Sequence, residues 1–176
     1  MKKGLIISAL VLMIAASLIA GTLANYTTQI DDLAEGSVVA KEFILLENGS
    51  DTFATDVKIA PTETKTWQFS VKNNNGALVT ETAMDLDFDI DVTNTTGKSA
   101  IAPLTVTIKD SGSNVVASRT GTGTMHFDSS FALQAAGQEQ TYTVEVNWPS
   151  DNEVDINYAG GNFGTTVAVS VTGTQI

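Results

Sequence analysis

Residues 84–92 alternate without a break. Met84, Leu86, Phe88, Ile90 and Val92 are apolar, and the residues between them are Asp85, Asp87, Asp89 and Asp91. A side-chain period of two marks an extended strand with one face in a core and the other in water. The same period recurs downstream and upstream. Phe53, Thr55, Val57 and Ile59 alternate with Ala54, Asp56 and Lys58, and Trp67, Phe69 and Val71 with Thr66, Gln68 and Ser70. Leu104, Val106 and Ile108 follow the pattern, as do Tyr142, Val144, Val146 and Trp148, and finally Val167, Val169 and Val171. Val38–Leu46 is apolar on both faces and reads as a central strand; Val115–Ala117 and the pieces around Met125, Phe127, Phe131 and Leu133 read as shorter strands.

Turn-forming clusters separate these runs: 47–50, Asn73-Asn74-Asn75-Gly76, Thr95-Thr96-Gly97, 110–114 and Gly160-Gly161-Asn162. No segment past residue 36 holds a helical period; Asp31–Glu35 has room for one turn. Antiparallel sheets with one wet face show this alternation. The expectation is an all-β, single-domain antiparallel β-sandwich over residues 37–176, jelly-roll-like, with about nine strands.

The N-terminus is different. Lys2 and Lys3 precede an uncharged run from Gly4 to Ala24, which ends in the small residues Ala20, Gly21, Thr22 and Ala24. This is the order of a helical secretory signal peptide, residues 1–24, cut between Ala24 and Asn25. The alternative is a retained anchor, since 21 uncharged residues from Gly4 to Ala24 can span a bilayer. Residues 25–36 then form an N-terminal segment ahead of the sandwich.

Composition narrows the chemistry. The chain has no cysteine and one histidine, which removes disulfides, thiolate metal sites and cysteine nucleophiles. Its net charge is −11, and loss of Lys2 and Lys3 with the signal leaves −13. That balance opposes nucleic-acid binding, which needs clustered Lys and Arg. The chain reads as a non-enzyme that is exported to the cell surface or beyond.

Several stretches resemble one family. Ala20-Gly21-Thr22-Leu23-Ala24-Asn25-Tyr26 is similar to the junction in substrates of the SipW-type signal peptidase. Val57-Lys58-Ile59-Ala60-Pro61-Thr62-Glu63-Thr64 resembles the Ile-x-Pro-Gly-Asp-Ser turn of that group, with Thr62 in place of its glycine. The aromatic strand and Asn-rich turn from Trp67 to Gly76, and the end at Tyr158-Ala159-Gly160 and Val171–Gln175, are also similar. Together they resemble the TasA/camelysin family of secreted jelly-roll proteins, several of which build matrix fibres. Residues 80–140 carry no such likeness. The metalloprotease label of camelysin is not carried over, because the chain has no zinc-binding helix motif.

The resemblance implies a fibre subunit of an extracellular matrix or biofilm, joined head to tail to copies of itself by donor-strand exchange, with other matrix proteins as further candidate partners. The candidate donor is Asn25–Ile30: Tyr26, Thr28 and Ile30 share one strand face. Membrane contact would be only through an uncleaved signal. A charge of −13 per subunit opposes assembly, so salt, acid or divalent cations should promote it.

The second function class is a monomeric carbohydrate- or calcium-binding module. No cofactor is expected, with calcium the one ion to weigh. Asp85, Asp87, Asp89 and Asp91 lie on one strand face about 6.5–7 Å apart. Clustered carboxylates suit calcium, but a strand does not wrap an ion, and the bland reading is a wet face that blunts edge pairing. Asp151, Glu153 and Asp155 form a second acidic cluster without the glycine and terminal Glu of a calcium loop. His126 should face away from Met125 and Phe127, with no second ligand evident for zinc. Trp67 and Trp148 are read as core rather than as sugar platforms. Asn25, Asn48 and Asn94 head glycosylation sequons.

Overall fold

The computed structural model describes residues 38–49 and 51–176. The signal peptide, its Ala24–Asn25 junction and the donor residues Tyr26, Thr28 and Ile30 lie outside the described residues. Ala40–Ile176 form one compact unit.

Ten strands build it: β1 (Leu46–Glu47), β2 (Thr64–Lys72), β3 (Asn74–Asn75), β4 (Leu78–Val79), β5 (Met84–Asn94), β6 (Thr105–Lys109), β7 (Val115–Thr120), β8 (Gly123–Phe131), β9 (Glu139–Asn147) and β10 (Thr165–Gln175). Five of them pair in the order β1-β2-β9-β6-β7, three in the order β10-β5-β8, and β3 and β4 form a small hairpin. Every pairing between these strands is antiparallel. The chain crosses between the two main sheets after β2, by way of the β3–β4 hairpin, and again after β5, β7, β8 and β9, and each sheet carries apolar residues that face the other. The result is the expected all-β sandwich.

The alternation of β5 is fully realised. Met84, Leu86, Phe88, Ile90 and Val92 are at most 1% exposed, while Asp85, Asp87 and Asp91 are exposed. β5 is the centre of its sheet, with β10 on one side and β8 on the other. Between the sheets sits an aromatic cluster. Phe88 stacks on Phe127 with centroids 4.5 Å apart, and Tyr142 from the facing sheet lies 5.1 Å from Phe88 and 5.2 Å from Phe69. Each such side chain contributes about 1.5–3 kcal/mol by leaving water. Burial also raises the Tyr142 phenol above its ordinary pKa.

Two expected strands are corrected. Val38–Leu46 is not central: only Leu46–Glu47 pair as strand, at the margin of the larger sheet, and Lys41–Phe43 are exposed. A run apolar on both faces does not say whether a neighbour flanks each edge. Phe53–Ile59 forms no strand either. Thr52 bonds to the Gln68 carbonyl at 3.0 Å and Phe53 stacks on Trp67 at 5.3 Å, after which the chain turns away. Conversely, the pieces around Asp128 are one continuous strand, β8, and Leu133 lies outside it, 63% exposed.

The turns follow their residues. Asn114 donates from its backbone N at 2.9 Å and from Nδ2 at 3.0 Å to Asp110, closing the β6–β7 hairpin. These donors hold the Asp110 carboxyl below its usual pKa. Ala60-Pro61-Thr62-Glu63 is a four-residue turn closed by Glu63 N to Ala60 O at 3.0 Å, with Thr62 at a φ of +74°. Proline second and a left-handed third residue describe a type II turn, whose third position favours glycine.

Candidate functional site

A two-layer sandwich has two open sides, where the margins of its sheets meet. In this chain they are treated differently.

At one side β7 leads directly into β8, so the larger sheet turns into the smaller. Three side chains of the larger sheet or its approaches then cap main-chain carbonyls of β8 and its flanks. Gln140 Nε2 donates to Ser130 O at 2.9 Å, Gln138 Nε2 to Ala132 O at 2.5 Å, and Arg119 Nε to Thr122 O at 2.7 Å. The other end of the Gln140 amide is equally occupied. Its Oε1 accepts Ser129 Oγ and Tyr142 OH, each at 2.8 Å. Of these carbonyls Ser130 O belongs to β8 itself and the other two flank it, so both ends of this edge are partly blunted.

The opposite side is open among the described residues. β10 is 11 residues long and, among the described residues, hydrogen-bonds along Val167–Gln175 only to β5. Its core-facing Val167, Val169 and Val171 are only half-buried, although their β5 neighbours Val92, Ile90 and Phe88 are at most 1% exposed. The difference has a simple cause: no described strand lies beyond β10. A groove of about 430 Å³ results, lined by Val167, Val169 and Val171 on one wall and by Phe53, Phe69 and Val71 on the other, with Phe88 at its base.

The margin of the larger sheet across the groove is a poor template. Asn48 N bonds Ser70 O at 3.1 Å and Thr52 N bonds Gln68 O at 3.0 Å, so a four-residue step on this strand spans two residues of β2. The ladder is interrupted between these two bonds, with Gly49 at φ +69°. Interruption and shortness both blunt an edge. At one end the groove is closed by Leu45. A Cβ on Gly173 would lie 2.9 Å from Leu45 Cδ2 and 2.7 Å from Met84 Sδ, so only glycine lets these side chains settle there. The open length, Val167 to Val171, is about 13–14 Å at the rise of an extended strand.

The acidic clusters resolve differently from each other. Asp85, Asp87, Asp89 and Asp91 stand on the outer face of a central strand, so the edge-blunting reading is corrected. Asp87 faces Asp128 directly across the β5–β8 pair, and Thr124 Oγ1 donates to Asp91 Oδ1 at 2.5 Å. His126 points outward as expected, but it is not alone. It pairs through Nδ1 with Asp89 Oδ1, and Asp87, Asp89 and His126 bring one ligand atom each within 4.8 Å of one another. Strand register created this group: the partners are 37 and 39 residues apart in sequence, and the alternation of either strand alone does not show which residues face each other.

Asp151, Glu153 and Asp155 do not converge on a common ion position. Asp155, 9% exposed, accepts Trp148 Nε1 at 2.7 Å through Oδ1 and Asp151 N at 2.9 Å through Oδ2. Asp151 Oδ1 accepts Glu153 N at 3.1 Å. The cluster scaffolds a turn and a short 3-10 segment at Asp155–Tyr158. Trp148 is 4% exposed, and Trp67 lies under Phe53. Neither forms a sugar platform.

Comparison with family models, with curated proteins and with solved structures finds no match.

Proposed function

We propose that this chain is a secreted structural subunit of an extracellular matrix or surface fibre, assembling by donor-strand complementation. Residues Asn25–Ile30 of one copy add to β10 of the next. The observation that carries the reading is the margin of β10, unpaired among the described residues, with its half-buried Val167, Val169 and Val171. A strand laid there gains main-chain hydrogen bonds, and its alternate side chains enter the groove.

Length supports the choice of donor. The groove presents three inward valines over five residues, and Tyr26, Thr28 and Ile30 are three same-face residues over five. Donor and acceptor are different surfaces of one chain, so the contact is heterologous and propagates as a filament. The caps at Ser130 and Ala132 blunt one end of the β8 side, whereas β10 carries none along Val167–Val171 among the described residues. Cleavage after Ala24 would free the donor, making processing the switch for assembly outside the cell.

Negative-stain microscopy and sizing of the mature protein test this reading. Threads and large particles are expected from residues 25–176, and a monomer from the same chain lacking residues 25–31. Equal assembly by both would refute the donor role.

A monomeric ion-binding module is the second reading, and the Asp87, Asp89 and His126 group favours it. Two carboxylates and an imidazole suit a divalent transition ion better than calcium. Calorimetric titration of the mature protein with zinc, manganese and calcium separates these. No heat at millimolar metal would remove the module.

A further inference from the structure

The acceptor groove is apolar along its length but acidic at one point. Glu47 pairs with Val71, a core-facing residue, and residues directly opposed in an antiparallel pair share a face. Its side chain therefore lies on the groove side of the sheet margin, where Asp51 joins it in the lining. The hydrogen bond and negative charge from Asp51 hold the Glu47 carboxyl above its ordinary pKa. Among the charged groups near this margin, Glu139 is engaged with Asn48 Nδ2 at 2.6 Å. Lys72 lies opposite Leu46 and so on the outer face of the sheet. The β10 wall, Val167–Val171, carries no charge. The groove thus offers negative charge with no cation of its own among the described residues that line it.

The position of this charge along the groove is fixed by its neighbours. Leu45, two residues before Glu47, reaches Gly173 and Met84, while Phe53 stacks on Trp67 toward the other end. Glu47 therefore belongs to the Gly173 end. All pairings in the two main sheets are antiparallel. A strand added to β10 in the same sense has its N-terminus at that end. Cleavage between Ala24 and Asn25 creates a new α-ammonium at the first residue of the donor, with an ordinary pKa of about 7.7–8.0.

We infer that Glu47 and Asp51 receive the freed α-ammonium of Asn25 from the incoming copy, fixing the donor antiparallel to β10 with Tyr26, Thr28 and Ile30 set against Val171, Val169 and Val167. The inference rests on the donor-strand reading and adds to it a partner chemistry, a direction and a register. It also makes the groove selective. A donor still joined to residues 1–24 brings a neutral peptide bond to the carboxylates, and the pair is left without its cation.

The test uses the full chain carrying Tyr26→Asp and Ile30→Asp, so that its own segment does not compete. It is titrated with a fluorescent peptide of residues 25–30, amidated at its C-terminus, bearing either a free or an acetylated N-terminus. The free peptide should bind, and acetylation should weaken binding about 3- to 10-fold, the range of a partly desolvated ion pair. With Glu47→Gln and Asp51→Asn added, the two peptides should bind alike; both positions are exposed, and circular dichroism checks that the sandwich is kept. Equal binding of the two peptides to the unaltered groove would overturn the inference and leave the donor-strand reading standing. Binding of neither peptide would overturn the donor-strand reading itself and this inference with it.

Discussion

Glu47 stands directly opposite Val71 in the β1–β2 pair, which puts a carboxylate on the core side of a sheet margin. Its neighbour Leu46, opposite Lys72, is turned outward and is 38% exposed. The polarity of this short strand is the reverse of that in β5, β9 and β10. An inward charge discourages indiscriminate strand pairing along the larger sheet, while β10, on the facing wall, has no such guard among its own inward residues, Val167, Val169 and Val171. One wall of the groove thus carries an inward charge and the other does not.

Val169→Asp should separate assembly from folding. Val169 is half-buried at a margin, so the monomer should keep its fold, whereas threads should disappear under the microscope. Phe88→Ala is the contrasting variant. Phe88 is 0% exposed at the centre of the aromatic cluster, and its truncation should cost about 3–5 kcal/mol in a denaturant titration.

Gln140→Leu should open the capped side. It removes the donor to the Ser130 carbonyl and the acceptor for Ser129 Oγ and Tyr142 OH. A loss of about 1–3 kcal/mol is expected from the groups left unpaired. Light scattering should show irregular aggregation, because the Ser130 end of β8 becomes available to a foreign strand.

Asp128→Asn should stabilise the protein. Asp87 and Asp128 are directly opposed like charges across β5 and β8. Relieving such a pair is worth about 0.2–1 kcal/mol. The gain in melting temperature should shrink as salt is added, since both groups face solvent.

Thr62→Gly should also stabilise. The φ of +74° at Thr62 is a strained setting for a β-branched residue and costs glycine nothing. A rise of about 1 kcal/mol is expected in denaturant titrations. No change would mean that this turn relaxes without strain.

The pH dependence of stability should have two opposed parts. Asp110 and Glu63 have carboxyls held low, the first by Asn114 and the second by hydrogen bonding to Lys65 and Ala60. Their contribution is present above the ordinary carboxylate range and is lost as pH falls through their folded values. Glu47 is held high by Asp51, so its contribution is complete below its ordinary value and is lost as pH rises through the folded one. Glu47→Gln should therefore raise the melting temperature at neutral pH and lose that advantage in acid. Asp110→Asn should do the opposite, lowering it at neutral pH alone.

What the sequence settled by itself was local. An unbroken period of two fixed β5, β6, β9 and β10 as strands and told which side chains of each face the core, because successive residues of a strand must point to opposite sides. It also placed the hairpin at 110–114, where Asp110 and Asn114 bond each other, and it turned His126 outward. It did not reveal which strands are neighbours. Val38–Leu46 looked central and proved marginal, and the aspartate row looked like a guarded edge and proved to be the middle of a sheet. Side-chain periodicity reports faces, whereas order and register depend on pairing between residues far apart in the chain. For that reason the Asp87, Asp89 and His126 group, the glutamine caps on β8 and the open groove beside β10 exist only in the folded molecule.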